Sequence, residues 1–172
     1  ALSLLLFFLF HFSPLWSQTE LTVDGQFHTI SYNGTYQDFT VPDNFSGKLI
    51  LELHGGDGGF AQAQLNGNCE GAGGQGTTIT QEVLIGTGTN EIPPGSTIRF
   101  IVGEAGESQG TNGGIVFGFR EGGGGGGTGV AAQINGSWEI ISVAGGGGGG
   151  YADVAVGICD TESSGKPGNT NS

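Results

Sequence analysis

Short stretches of alternating apolar and polar residues, each emptying into glycine, make up most of this chain. In Lys48-Leu49-Ile50-Leu51-Glu52-Leu53-His54, the residues Leu49, Leu51 and Leu53 share one side of a two-residue period, and Gly55-Gly56-Asp57-Gly58-Gly59 comes directly after. Residues 77–85 read as another strand, because Thr, Ile and Val favour a pleated, half-buried surface. Shorter strands are expected at Thr22-Val23, at 27–32, at 39–41 before Pro42, at 96–102, at 115–119 and at 151–158. Asn135-Gly136, between Val130-Ala131-Ala132-Gln133-Ile134 and Trp138-Glu139-Ile140-Ile141-Ser142-Val143, is the dipeptide best suited to a two-residue type I′ hairpin. Pro93-Pro94-Gly95 predicts a type II turn. Residues 66–76 read as irregular, and no segment shows a helical period.

Composition then changes the picture. Of 172 residues 38 are glycine, so the apolar core must come from many short strands. Gly122, Gly123, Gly124, Gly125, Gly126 and Gly127 form one unbroken run, and Gly145, Gly146, Gly147, Gly148, Gly149 and Gly150 form another. Looser versions lie at 55–59 and 71–76, with varied spacing between runs and therefore no fixed-period repeat. Glycine costs about 0.5–1 kcal/mol against alanine in regular structure, so such runs are either floppy linkers or backbone packed too closely for any Cβ. The runs are nearly free of serine, they recur, and each adjoins an apolar strand that needs a partner surface. These features favour packed polyglycine-II helices, whose N–H and C=O groups bond neighbouring chains only at distances a side chain would forbid. Six residues at about 3.1 Å each match the length of a short strand, so a run and a strand are expected side by side as two layers.

The apolar run Leu2-Ser3-Leu4-Leu5-Leu6-Phe7-Phe8-Leu9-Phe10-His11-Phe12, broken by Ser13-Pro14, has signal-peptide length; its lack of polar alternation argues against the alternative, a strand of the mature fold. It lacks an initiating Met and a basic leader, so residues 1–17 are expected to be a signal peptide clipped at its start. The glycine-rich β-domain is expected over 19–158, with 159–172 a linker-like tail containing Ser163-Ser164-Gly165-Lys166-Pro167-Gly168-Asn169. In an oxidising compartment Cys69 and Cys159 can pair, or remain as free or intermolecular thiols. Asn33-Gly34-Thr35, Asn44-Phe45-Ser46 and Asn135-Gly136-Ser137 are N-glycosylation sequons at predicted turns; chance composition is the alternative.

A net charge of −12, with 4 basic residues, disfavours nucleic acid and anionic lipid and suits a basic protein ligand or simple solubility. Gly71-Ala72-Gly73-Gly74-Gln75-Gly76 fits G-x-G-x-x-G but lacks the strand before and the helix after that a dinucleotide site needs. His28 and His54 have no neighbours at metal-ligand spacing, Asp57 has no EF-hand context, and no nucleophile elbow occurs. No catalytic residue, cofactor or metal is expected.

Phe39-Thr40-Val41-Pro42, Leu49-Ile50-Leu51-Glu52-Leu53-His54-Gly55-Gly56, Pro94-Gly95-Ser96-Thr97-Ile98 and the stretch from Trp138 through Gly150 together resemble the extracellular glycine-rich domain of the anaplastic lymphoma kinase and leukocyte tyrosine kinase receptors. Similar modules occur in secreted or surface proteins of microbes and protists and in some phage tail-tip adhesins. The resemblance covers roughly residues 39–158 and implies an all-β fold: an antiparallel β-sandwich of tumour-necrosis-factor type with packed polyglycine-II helices. It also implies a secreted or cell-surface module, or the ectodomain of a membrane protein, that binds a protein or glycan ligand without catalysis. Membrane attachment would come only through a segment absent from this chain. A structural matrix or wall protein and a receptor ectodomain fragment are the alternatives. The chain departs from the receptors in lacking a transmembrane segment, a growth-factor-like cysteine cluster and kinase motifs, and it is expected to be an incomplete domain.

Overall fold

The computed structural model describes residues 19–20, 25–65, 67–110, 118–155 and 158–169. The expected signal peptide, Thr22-Val23 and Ile115-Val116-Phe117 lie outside these residues. The described chain is all-β, with no helix. Its strands are β1 (Thr19–Glu20), β2 (Gln37–Thr40), β3 (Gly47–His54), β4 (Ala61–Leu65), β5 (Gly67–Gly71) and β6 (Thr78–Ile85). They continue as β7 (Thr97–Ile101), β8 (Gly118–Glu121), β9 (Thr128–Ile134), β10 (Ser137–Ala144), β11 (Tyr151–Ala155) and β12 (Ile158–Ser163). All pairings among these strands are antiparallel except β1 with β2.

Two β units result. In the larger, a sheet ordered β1-β2-β7-β9-β10 is covered on one face by the pair β3–β6. The two-residue period decides which side chains meet there: Leu51, Leu53, Val83 and Ile85 from the pair face Ile98, Phe100, Val130 and Ala132 from the sheet. Phe39 meets Phe100 edge to face, ring centroids 5.5 Å apart. The β9–β10 hairpin turns at Asn135 (φ 51°) and Gly136 (φ 81°), both left-handed as a type I′ turn demands. Gly95 (φ 79°) comes after Pro94, and the Ser96 N–H donates to the Pro93 carbonyl at 3.2 Å, closing the expected turn.

The smaller unit sets the pair β4–β5 against a sheet ordered β12-β11-β8, around Ala61, Ala63, Cys69, Ala152 and Val154. Here three expectations are corrected. The stretch from 66 to 76 is not wholly irregular, because Gly67–Gly71 pairs with Ala61–Leu65. The strand expected over 151–158 ends at Ala155, and Ile158–Ser163 returns antiparallel beside it. Residues 159–169 are therefore no linker: the first of them are strand, and 164–169 bond to the glycine runs. In the larger unit, residues 27–32 join no ladder; Tyr32 instead hydrogen-bonds the Glu104 side chain, and that carboxylate pushes the phenol pKa up.

Among the described residues six glycine-bearing segments run between the two units: 55–59, 71–76, 103–110, 122–127, 145–150 and 164–169. These crossings hydrogen-bond to one another and do not lie beside a strand as a second layer. Gly58 N–H donates to Gly74 O, Gly56 to Gly126 O, Gly106 to Asp57 O and Gly147 to Gly56 O, so the first crossing touches the second, fourth, third and fifth. Gly123 donates to Glu107 O, Gly125 to Gly147 O, Gly74 to Gly148 O, Gly148 to Lys166 O and Gly165 to Ala72 O. Taken in the order third, fourth, first, fifth, second, sixth, each crossing bonds the next two. That is the connectivity of two rows, third-first-second against fourth-fifth-sixth.

The rows inherit the sheets. Neighbours β7, β9 and β10 lead into or out of the bonded third, fourth and fifth crossings, and β3–β6 into the first and second. At the other end β8, β11 and β12 match the fourth, fifth and sixth crossings, and β4–β5 again the first and second. Thr128, buried where β9 begins, ties the junction: its hydroxyl donates to the His54 carbonyl and accepts the Gly103 N–H at 3.0 Å.

Inside the crossings glycine serves close approach, since none of these glycines has a left-handed φ. A Cβ on Gly125 would fall on the Gly56 carbonyl, one on Gly146 on Gly125, and one on Gly58 on Gly148. Contacts recur every third residue: Gly55 and Gly58 bond the second crossing, Gly56 and Gly59 the fourth. Crossings at the ends of the series need glycine once per triplet, at Gly103 and Gly106 or at Gly165 and Gly168. The first and second leave Asp57, Ala72 and Gln75 exposed, while the fourth and fifth are glycine throughout.

Candidate interaction surface

The side of the five-stranded sheet turned away from β3–β6 collects much of the exposed apolar surface. Register places Asp38, Arg99, Ala131 and Ile140 in one row across it, because Asp38 pairs with Arg99, Arg99 with Ala131, and Ala131 with Ile140. Trp138 lies opposite Gln133, which lies opposite Thr97, in the next row. The same alternation that buries Ile98 and Phe100 turns Arg99 and Ile101 outward, and a bulge between Ile140 and Ser142 returns Val143 to the outer face. Tyr36, Ile101, Trp138, Ile140 and Val143 are all substantially exposed there, Ile140 to 78%.

Arg99 sits at the centre. Its Nε and Nη2 donate to the two Asp38 carboxylate oxygens at 2.8 and 2.7 Å. Its guanidinium carbon lies 3.7 Å from the Tyr36 ring centroid and 4.3 Å from that of Trp138. The hydrogen bond to Asp38 raises the already high arginine pKa further. A bidentate, ring-flanked arginine is pre-organised and electrically neutralised, so it gives up little entropy or hydration when a partner covers it. Trp, Tyr and Arg are the residues in which binding energy concentrates at protein interfaces.

The residues singled out by sequence scatter elsewhere. Cys69 and Cys159 are joined in a disulfide that ties β5 to β12, so their grouping with Glu162 is not a thiolate metal site. Asn33, Asn44 and Asn135 are exposed; Asn33 Oδ1 accepts the Thr35 N–H at 3.1 Å, and the other two lie in turns at the end of the larger unit away from the crossings. His54 bridges Thr78 Oγ1 at 3.0 Å and Glu52 Oε1 at 2.8 Å, a strand-end role. The Asp57 carboxylate accepts the Gly76 N–H at 2.7 Å, bracing the first crossing against the second. An open apolar cavity of about 370 Å³ lies between Phe27, Phe45, Leu49 and Ile85; Lys48 at its rim is paired with Glu82 at 2.8 Å.

No family model matches the chain. A search of curated proteins finds no match either. Among the described residues no helix is long and apolar enough to cross a membrane.

Sequence reasoning missed the Tyr36–Asp38–Arg99–Trp138 group. One signal was available: Arg99, among so few basic residues, stands mid-strand between two core positions and must need a partner. The identity of that partner depends on the β2–β7 register, which local pattern does not carry.

Proposed function

We propose that this protein is a non-catalytic extracellular binding or adhesion module of the glycine-rich kind found in anaplastic lymphoma kinase and leukocyte tyrosine kinase ectodomains. On this reading the larger unit is a sandwich of tumour-necrosis-factor type and the six crossings are polyglycine-II helices. The three-residue recurrence of the hydrogen bonds, the absence of left-handed φ values and the carbonyls that any Cβ would strike support that assignment. The disulfide agrees with a secreted or cell-surface location.

The observation that carries the binding role is the outer sheet face, where Tyr36 and Trp138 flank a neutralised Arg99 and Ile101, Ile140 and Val143 stand exposed. With a molecular charge of −12, the partner that fits is a basic protein, steered by the overall field and anchored on this face. The test is interferometry against a panel of secreted proteins of high isoelectric point and a glycan array, using the full chain and Trp138→Ala. Salt-sensitive protein binding lost in the variant supports the proposal; glycan binding alone moves the partner class to sugar. Absence of binding by either form, with self-assembly into sedimenting material, would sink it in favour of a matrix protein.

A further inference from the structure

We propose that the Cys69–Cys159 disulfide is a redox latch that holds the smaller β unit and the sixth crossing in place. Among the described side chains the core of that unit is Ala61, Ala63, Ala152, Val154 and the buried Cys69 itself. Those three alanines and one valine bury little apolar surface, and a small β unit gains from a covalent staple. The bond is placed to supply it. It joins β5 of the pair to β12 of the three-stranded sheet, with Cα atoms 5.3 Å apart and 90 residues of separation along the chain.

The sixth crossing, immediately after β12, depends on the same anchor. Among the described residues, 164–169 hydrogen-bond to the second and fifth crossings, through Gly165 N–H to Ala72 O, Gly168 N–H to Gln75 O, and Gly148 N–H to Lys166 O. They stand at the end of the bonded series, with neighbours on one side, and their side chains bury no core. Among the described residues β12 pairs with β11 alone, through a register shift between Asp153 and Val154. The larger unit has no share in the disulfide and keeps its own apolar core.

Cys159 is exposed while Cys69 is buried, so an external thiolate meets the Cys159 sulfur first. A dithiol reductant attacks there and forms a mixed disulfide, and Cys69 leaves as a thiolate that takes a proton from water. The second thiol of the reductant then closes its own disulfide and releases Cys159. Two electrons and two protons pass to the protein. The opened latch frees the β4–β5 pair, β12 and residues 164–169, while the larger unit and the other five crossings stay folded.

Hydrogen exchange read by mass spectrometry on the full chain, before and after reduction by a dithiol, tests this. Peptides from 61–71 and 158–169 are expected to exchange at least about 100-fold faster once reduced, with peptides from β3, β6, β7 and β9 unchanged. The double variant Cys69→Ser with Cys159→Ser should reproduce the reduced pattern without reductant. Unchanged exchange throughout after confirmed reduction would overturn the latch. Uniform loss of protection across both units would overturn it equally, since the disulfide would then support the whole fold.

Discussion

The larger β unit and the glycine crossings beneath it are held by opposite means. In the unit, Leu53, Val83, Ile98 and Val130 fill space with apolar side chains, and the backbone serves as scaffold. In the crossings backbone fills the space, and side chains are expelled to Asp57, Gln75 and other exposed positions. The first kind of packing tolerates hydrophobic exchange when volume is kept. The second tolerates no volume at all at its contact positions, and its register is fixed by hydrogen bonds that repeat every three residues. Mutational sensitivity therefore has different grammars in the two regions: in one it tracks side-chain size, in the other the direction in which a Cβ would point.

The sharpest way to break this contrast is Gly125→Ala. The new methyl group would strike the Gly56 carbonyl and force the first and fourth crossings apart, with an expected loss of at least about 4 kcal/mol by chemical denaturation. If that variant melts like the parent, the crossings are loose linkers after all. Leu53→Ala, at a position 3% exposed, should cost about 3 kcal/mol by the same assay, as an ordinary core cavity does. Arg99→Ala, which leaves Asp38 partly buried without its partner, should cost roughly 1–2 kcal/mol. Arg99→Lys should recover only part of that, because an ammonium cannot make the bidentate contact.

The smallest effect is the most informative. Gly124→Ala, one residue from that clash, should change stability by no more than about 0.5 kcal/mol, since a Cβ there finds its nearest neighbour, the Gly147 carbonyl, at an ordinary 3.6 Å. A large loss at Gly124 equal to that at Gly125 would show that the triplet geometry is wrong.

Local pattern made much of this architecture legible. The alternation of Leu49, Leu51 and Leu53 marks the buried side of β3, and Asn135-Gly136 marks the hairpin, because both depend on neighbours a few residues away. The β4–β5 pair escaped notice since its inward residues are Ala61 and Ala63, which are too small to raise an apolar signal. The tail escaped for a related reason: Gly165 and Gly168 are spaced by three, as are Gly55 with Gly58 and Gly103 with Gly106. That triplet spacing was present in the letters, but it acquires meaning only when a neighbouring crossing lies against it. The arginine cluster is harder still, as it joins β2, β7 and β10 through pairings separated by many residues.

Because bonds repeat every third residue in all the crossings, the distance between the two β units is quantised. Lengthening one crossing by a single residue would turn glycines outward and side chains inward from that point on. Only whole triplets, added to every crossing together, would leave both ends seated. The gap between the units is thus a ruler with marks three residues apart, and related chains should differ in reach by those marks or not at all.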